Sequence, residues 1–119
     1  MSDAPKSTSP DGRFAIYVDM WEAFNSHWVE SPELTDTRSG ATLLKFNNDN
    51  WSLDAAQWQS DTVVSLSLRK YPGDHTPSAF EVVVDCEQGN ASVADMAPLP
   101  LAEVEEALER LYLAGRRQG

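Results

Sequence analysis

An α+β fold, with an antiparallel β-meander sheet of about five or six strands packed by one C-terminal α-helix, is what three features of the sequence predict. Several short segments alternate apolar and polar residues, the period of a half-buried strand. Clusters of Asn, Asp, Gly, Ser and Pro separate these segments at short intervals, and short connections favour antiparallel neighbours. A single stripe of apolar residues at helical spacing occupies the end of the chain. With 119 residues there is room for one domain, and a 41% hydrophobic share with four Trp and four Phe supplies a core.

Taken in order, residues 1–12 are Ser, Pro, Asp, Lys and Gly with little apolar content and are expected to form a disordered tail. The domain is expected over 13–115. Phe14, Ile16, Val18 and Met20 alternate with Ala15, Tyr17 and Asp19, predicting a strand. Residues 21–29 fit either a helix, through Trp21, Phe24 and Trp28, or a strand, with extended structure preferred because Asn25, Ser26 and His27 are weak helix formers. Pro32 disfavours helix at Ser31, and 35–40 reads as a turn closed by Gly40. Residues 42–46 predict a short strand, 47–50 a turn, and 51–58 a strand with Trp51, Leu53 and Ala55 on one face and Trp58 on the other. Residues 62–71 give the best strand, with Val64, Leu66 and Leu68 inward and Ser65, Ser67 and Arg69 outward. A loop follows at 71–77, set by Pro72-Gly73 and Pro77. Phe80, Val82, Val84 and Cys86 mark the inward face of a further strand, and 91–95 a short edge strand.

The helix is predicted from Pro100 to about Ala114, with Leu101, Val104, Leu108 and Leu111 as its apolar stripe. Glu103, Glu105 and Glu106 suit its positive end, Arg110 its negative end, and Gly115 its stop, leaving 116–119 frayed. One helix cannot cover such a sheet, so strong curling or self-association, a homodimer for instance, has to shield the remainder.

Charge narrows the function classes. Nineteen acids against nine bases give a formal net charge of −10, which disfavours nucleic acid and anionic membrane surfaces and favours encounter with a basic partner. No apolar run approaches a membrane span or a signal sequence, and Cys86 stands alone, so a reducing, cytoplasmic setting is expected. The two glycosylation-type triplets, at Asn50 and Asn90, read as chance matches.

Candidate chemistry is sparse, and neither catalytic residues, metal nor cofactor is assigned. Asp74 and His75 are adjacent, which gives poor geometry for an oriented base, and no nucleophile elbow accompanies them. Cys86 lies between Asp85 and Glu87, neighbours that oppose a thiolate, and reads as a buried, inert thiol. Asn47, Asn48, Asp49, Asn50 and Asp54 supply oxygen atoms but lack the calcium-loop order. Arg69, Lys70 and Tyr71 make the basic-aromatic spot of the folded region, and balance against nearby acids is its simpler role. The binding candidates are therefore Trp58, Arg69, Tyr71, Asp74 and His75. The leading expectation is a small acidic non-catalytic binding module, such as an inhibitor or immunity-like protein acting on a basic protein. The alternatives are a small-ligand binder or enzyme with its site near 71–77, and an oligomeric accessory subunit.

Overall fold

Strand pairing in the computed structural model, which describes residues 5–22, 28–47, 51–70, 79–94 and 96–118, divides the chain into two antiparallel meanders. The first sheet runs β1 (Ser7–Thr8), β2 (Phe14–Glu22), β3 (Trp28–Asp36) and β4 (Thr42–Lys45) in sequence order. The second runs β5 (Trp51–Trp58), β6 (Val63–Lys70), β7 (Phe80–Asp85), β8 (Asn90–Val93) and β9 (Leu99–Pro100). A 3-10 turn, Leu101–Glu103, leads into the helix α1 (Val104–Gln118). The α+β class and the meander are as the sequence predicts. The partition into two sheets is not, and it answers the shielding problem. Phe14, Ile16 and Leu34 of the first sheet join Val64, Leu66, Leu68, Val82 and Val84 of the second in one buried cluster, so each sheet covers the other's apolar face.

A short strand lies within the stretch read as a tail. Ser7–Thr8 pair with Ile16 and Ala15, and the backbone N–H groups of Lys6 and Ser9 donate to the Ile16 and Phe14 carbonyls. Backbone pairing and the Trp58 indole N–H, which donates to the Ser7 hydroxyl, place this strand, and two residues leave no period to read in the sequence. At 21–29 the described parts are strand, through Glu22 and again from Trp28; residues 23–27 lie outside the described residues.

Pro32 sits inside β3 without removing a ladder bond. The Phe14 and Ile16 carbonyls face β1, so by alternation Val18 and its partner Pro32 fall between the hydrogen-bonded pairs of β2 and β3. The side of β3 on which Pro32 lacks a donor is the side where the Glu30 N–H finds the Ser52 hydroxyl of β5 at 3.0 Å. That bond also holds the start of β5 against the start of β3.

A bulge between Leu53 and Ala55 reassigns the faces of β5. Leu53 pairs with Leu68, then Ala56 with Leu66 and Trp58 with Val64. Trp51, Leu53, Ala56 and Trp58 therefore share the inward face, and Ala55 is exposed. Trp58 is not opposite Trp51, because one extra residue inverts the alternation beyond it. On β6 the inward set is Val64, Leu66 and Leu68, as predicted. Ser65 faces the other way but is buried between the flanking strands, where its hydroxyl donates to Glu81 at 2.8 Å.

The helix closes the open end of the core with Leu101, Val104, Ala107, Leu108 and Tyr112. It continues through Gly115 to Gln118 rather than stopping at 114. Glycine ends a helix where it turns left-handed, whereas Gly115 keeps the helical conformation. Such turns do occur at Gly12, Gly40 and Gly89, each at positive φ in a tight connection.

Because Leu108 is wholly buried where helix and sheets meet, Leu108→Ala should lower unfolding free energy by about 2–5 kcal/mol. Urea titration followed by Trp fluorescence measures this. A loss below about 1 kcal/mol would show that the helix is only loosely seated.

Candidate functional site

Of the residues singled out from sequence, Trp58 and Arg69 fall among the described residues, whereas Tyr71, Asp74 and His75 lie outside them. The structure does not bring Trp58 and Arg69 together. Trp58 closes β5 near β1, half-buried against the core, and its indole N–H donates to the Ser7 hydroxyl at 2.9 Å. Arg69 pairs across from Ser52 near the other end of the same ladder. Its guanidinium is partly exposed and donates to Asp54 at 3.1 Å.

The neighbouring Lys70 is the more constrained cation. Its ammonium bonds both carboxylate oxygens of Glu109 on α1. It also lies 4.6 Å from the Tyr112 ring centroid and 5.7 Å from that of Trp51. The Trp51 indole N–H donates to the same Glu109 at 3.2 Å. Lys70 is 13% exposed and Glu109 29%, so this is a polar contact at the rim of the core joining β5, β6 and α1. Sequence reading found the basic spot and its balancing role, but not Glu109, which lies 39 positions away. The i, i+4 pair Glu106–Arg110 forms on the exposed helix surface as its spacing suggests.

The opposite end of the molecule is built from four turns. The Thr37 N–H donates to the Arg13 carbonyl at 2.8 Å and joins the first sheet's two turns, while the Cys86 N–H donates to Thr62 at 2.7 Å and joins the second's. Acids here serve the turns. The Asp11 carboxylate accepts the Arg13 N–H and the Ser9 hydroxyl, Asp36 accepts the Arg38 N–H, and Asp85 accepts the N–H groups of Glu87 and Gln88. The Arg13 N–H, then the Ser9 hydroxyl, holds the Asp11 carboxyl below its ordinary range; the Arg38 N–H does the same for Asp36.

Cys86 is buried at this end. Burial first, and the Asp85 charge second, push its thiol up to about 12, which removes thiolate chemistry at neutral pH. Among the described residues no three His, Cys, Asp or Glu side chains gather as a metal site, and no helix is long and apolar enough to cross a membrane. A shallow depression of about 90 Å³, lined by Met96, Leu99, Glu103, Glu106, Ala107 and Arg110, lies beside the helix. It is smaller than the roughly 300 Å³ or more of a typical small-molecule site.

Two measurements follow from this geometry. Glu109→Ala strands the Lys70 ammonium and the Trp51 indole N–H and should cost about 2–3 kcal/mol in urea unfolding, whereas the double variant Lys70→Met with Glu109→Gln, which removes both charges and keeps an acceptor for the indole, should stay within about 1 kcal/mol of the parent; equal losses would mean that packing alone joins helix to sheet. For Cys86, the folded thiol stays protonated up to about 12 while the unfolded one ionises near 9.0. Between these values the unfolded state binds fewer protons, so stability must fall as pH rises, by up to about 1.4 kcal/mol per pH unit. Cys86→Ala should show a shallower decline over that window, and identical slopes would refute a protected thiol.

No known protein family, curated protein or solved structure matches the chain, so its function has to be argued from these residues and this geometry.

Proposed function

We propose that this domain is a non-catalytic binding module for a basic protein surface. The observation that carries the reading is how its few bases are used. Of the seven bases whose side chains are described, six, Lys6, Arg13, Lys45, Arg69, Lys70 and Arg110, face a carboxylate of the same chain, namely Glu30, Asp36, Glu33, Asp54, Glu109 and Glu106, and Arg38 is exposed on a turn. Asp19, Asp61, Glu87 and Glu103 are exposed and form no ion pair among the described residues. The excess behind the net charge of −10 is thus displayed on the surface, and a field of that sign speeds and orients encounter with a basic partner. The doubly layered core supplies the scaffold that carries this surface.

The test is capture from the source organism's lysate on the immobilised domain at low and moderate salt, beside the triple variant Asp61→Asn, Glu87→Gln, Glu103→Gln. The expected result is a stoichiometric basic protein whose retention falls with salt and is weakened at least tenfold by the triple variant. A partner held equally by the variant, or at every salt concentration, would overturn the reading.

A further inference from the structure

We infer that the depression between α1 and the connection leading into β9 receives a single arginine side chain of the basic partner. This rests on the basic-partner reading and deepens it by naming one place and one contact. Four of the lining residues, Glu103, Glu106, Ala107 and Arg110, follow the helical spacing i, i+3, i+4, i+7 and share one flank of the 3-10 turn and α1. Met96 and Leu99 form the other wall. Their connection is held at both ends. Ala94 takes a φ of 52°, a left-handed setting uncommon outside glycine. Its N–H donates to the Glu81 carbonyl at 2.9 Å, and the Met96 N–H donates to that of Val93 at 3.0 Å. Leu99 then pairs with Ala91 as part of β9. Only Asp95 of this connection lies outside the described residues. The wall is thus tied to β7 and β8, beside the helix flank.

The lining selects the occupant. At about 90 Å³ the depression suits the end of one long side chain rather than a drug-sized molecule. Met96, Leu99 and Ala107 offer apolar surface for a methylene stem, and Met96 is 43% exposed. Glu103 and Glu106 set two carboxylates beside that surface against one guanidinium, that of Arg110. Arg110 already bonds Glu106, whereas the exposed Glu103 forms no ion pair among the described residues. A guanidinium from the partner matches the carboxylate that remains. Arginine suits both parts of the site, because its stem lies on apolar surface while its planar fork takes a carboxylate through two hydrogen bonds. An apolar side chain would leave Glu103 unpaired beside it, and an anion would meet two carboxylates. A second copy of this chain brings a net charge of −10, and of its seven described bases only Arg38 is without a carboxylate.

The probe is a blocked pentapeptide with arginine between glycines, beside the same peptide with citrulline, which keeps the shape of arginine and loses its charge. NMR titration at low salt should show saturable binding of the arginine peptide at about millimolar strength. The shifts should centre on the Met96 methyl and the amides of Glu103 and Ala107, and the citrulline peptide should bind at least about threefold more weakly. Glu103→Gln should weaken the arginine peptide by at least about threefold and Met96→Ala by at least about twofold. Both should melt near the parent, since both side chains are exposed. Glu30→Gln, which removes the same charge from the first sheet, should leave binding unchanged, and Arg110→Gln, which frees Glu106, should tighten it. Equal weakening by Glu103→Gln and Glu30→Gln would overturn the site in favour of the overall field and leave the basic-partner reading standing. Equal binding of both peptides would overturn the arginine assignment in favour of an apolar occupant. No binding of the arginine peptide would overturn this proposal alone, since salt-sensitive capture decides the basic-partner reading.

Discussion

The Trp51 indole meets every layer of the molecule. It is wholly buried, with ring centroids 6.1 Å from Phe46 after β4, 5.7 Å from Phe80 on β7 and 6.4 Å from Tyr112 on α1. A side chain of this size, packed on several sides, fixes distances that smaller residues leave adjustable. Its one polar atom sets the remaining constraint. The buried N–H needs an acceptor, and Glu109 supplies it only when the helix lies in one rotational setting. Lys70 then neutralises that carboxylate over the Trp51 and Tyr112 rings. Sheet spacing and helix position are in this way set by the same few atoms.

From this constraint follows the unequal treatment of the two charge types. A domain with few bases places them where a carboxylate would otherwise go uncompensated, at the helix seat (Lys70), at the turn end (Arg13) and across neighbouring strands (Lys45 with Glu33). Acids are needed at the turns for another reason: Asp11, Asp36 and Asp85 tie down N–H groups that the tight connections leave without strand partners. Net acidity is therefore partly a by-product of turn construction. These turn carboxylates keep their charge, so they add to the field of the exposed, unpaired acids.

Periodicity made the long strands legible, since Val64, Leu66 and Leu68 on β6 and Phe80, Val82 and Val84 on β7 alternate without interruption and face inward. It misassigned Trp58 because a single inserted residue near Asp54 inverts the alternation, and neither Ser52 nor Ala55 carries a bulge signature. β1 and β9, of two residues each, were invisible because their existence depends on partners elsewhere in the chain. The division into two sheets was hidden for a related reason. Alternation specifies which face is apolar, but not whether a helix or another sheet covers it. At the helix seat, Arg69-Lys70-Tyr71 stood out as a basic cluster, yet Glu109 resembled any other helix carboxylate until the fold brought it to Trp51.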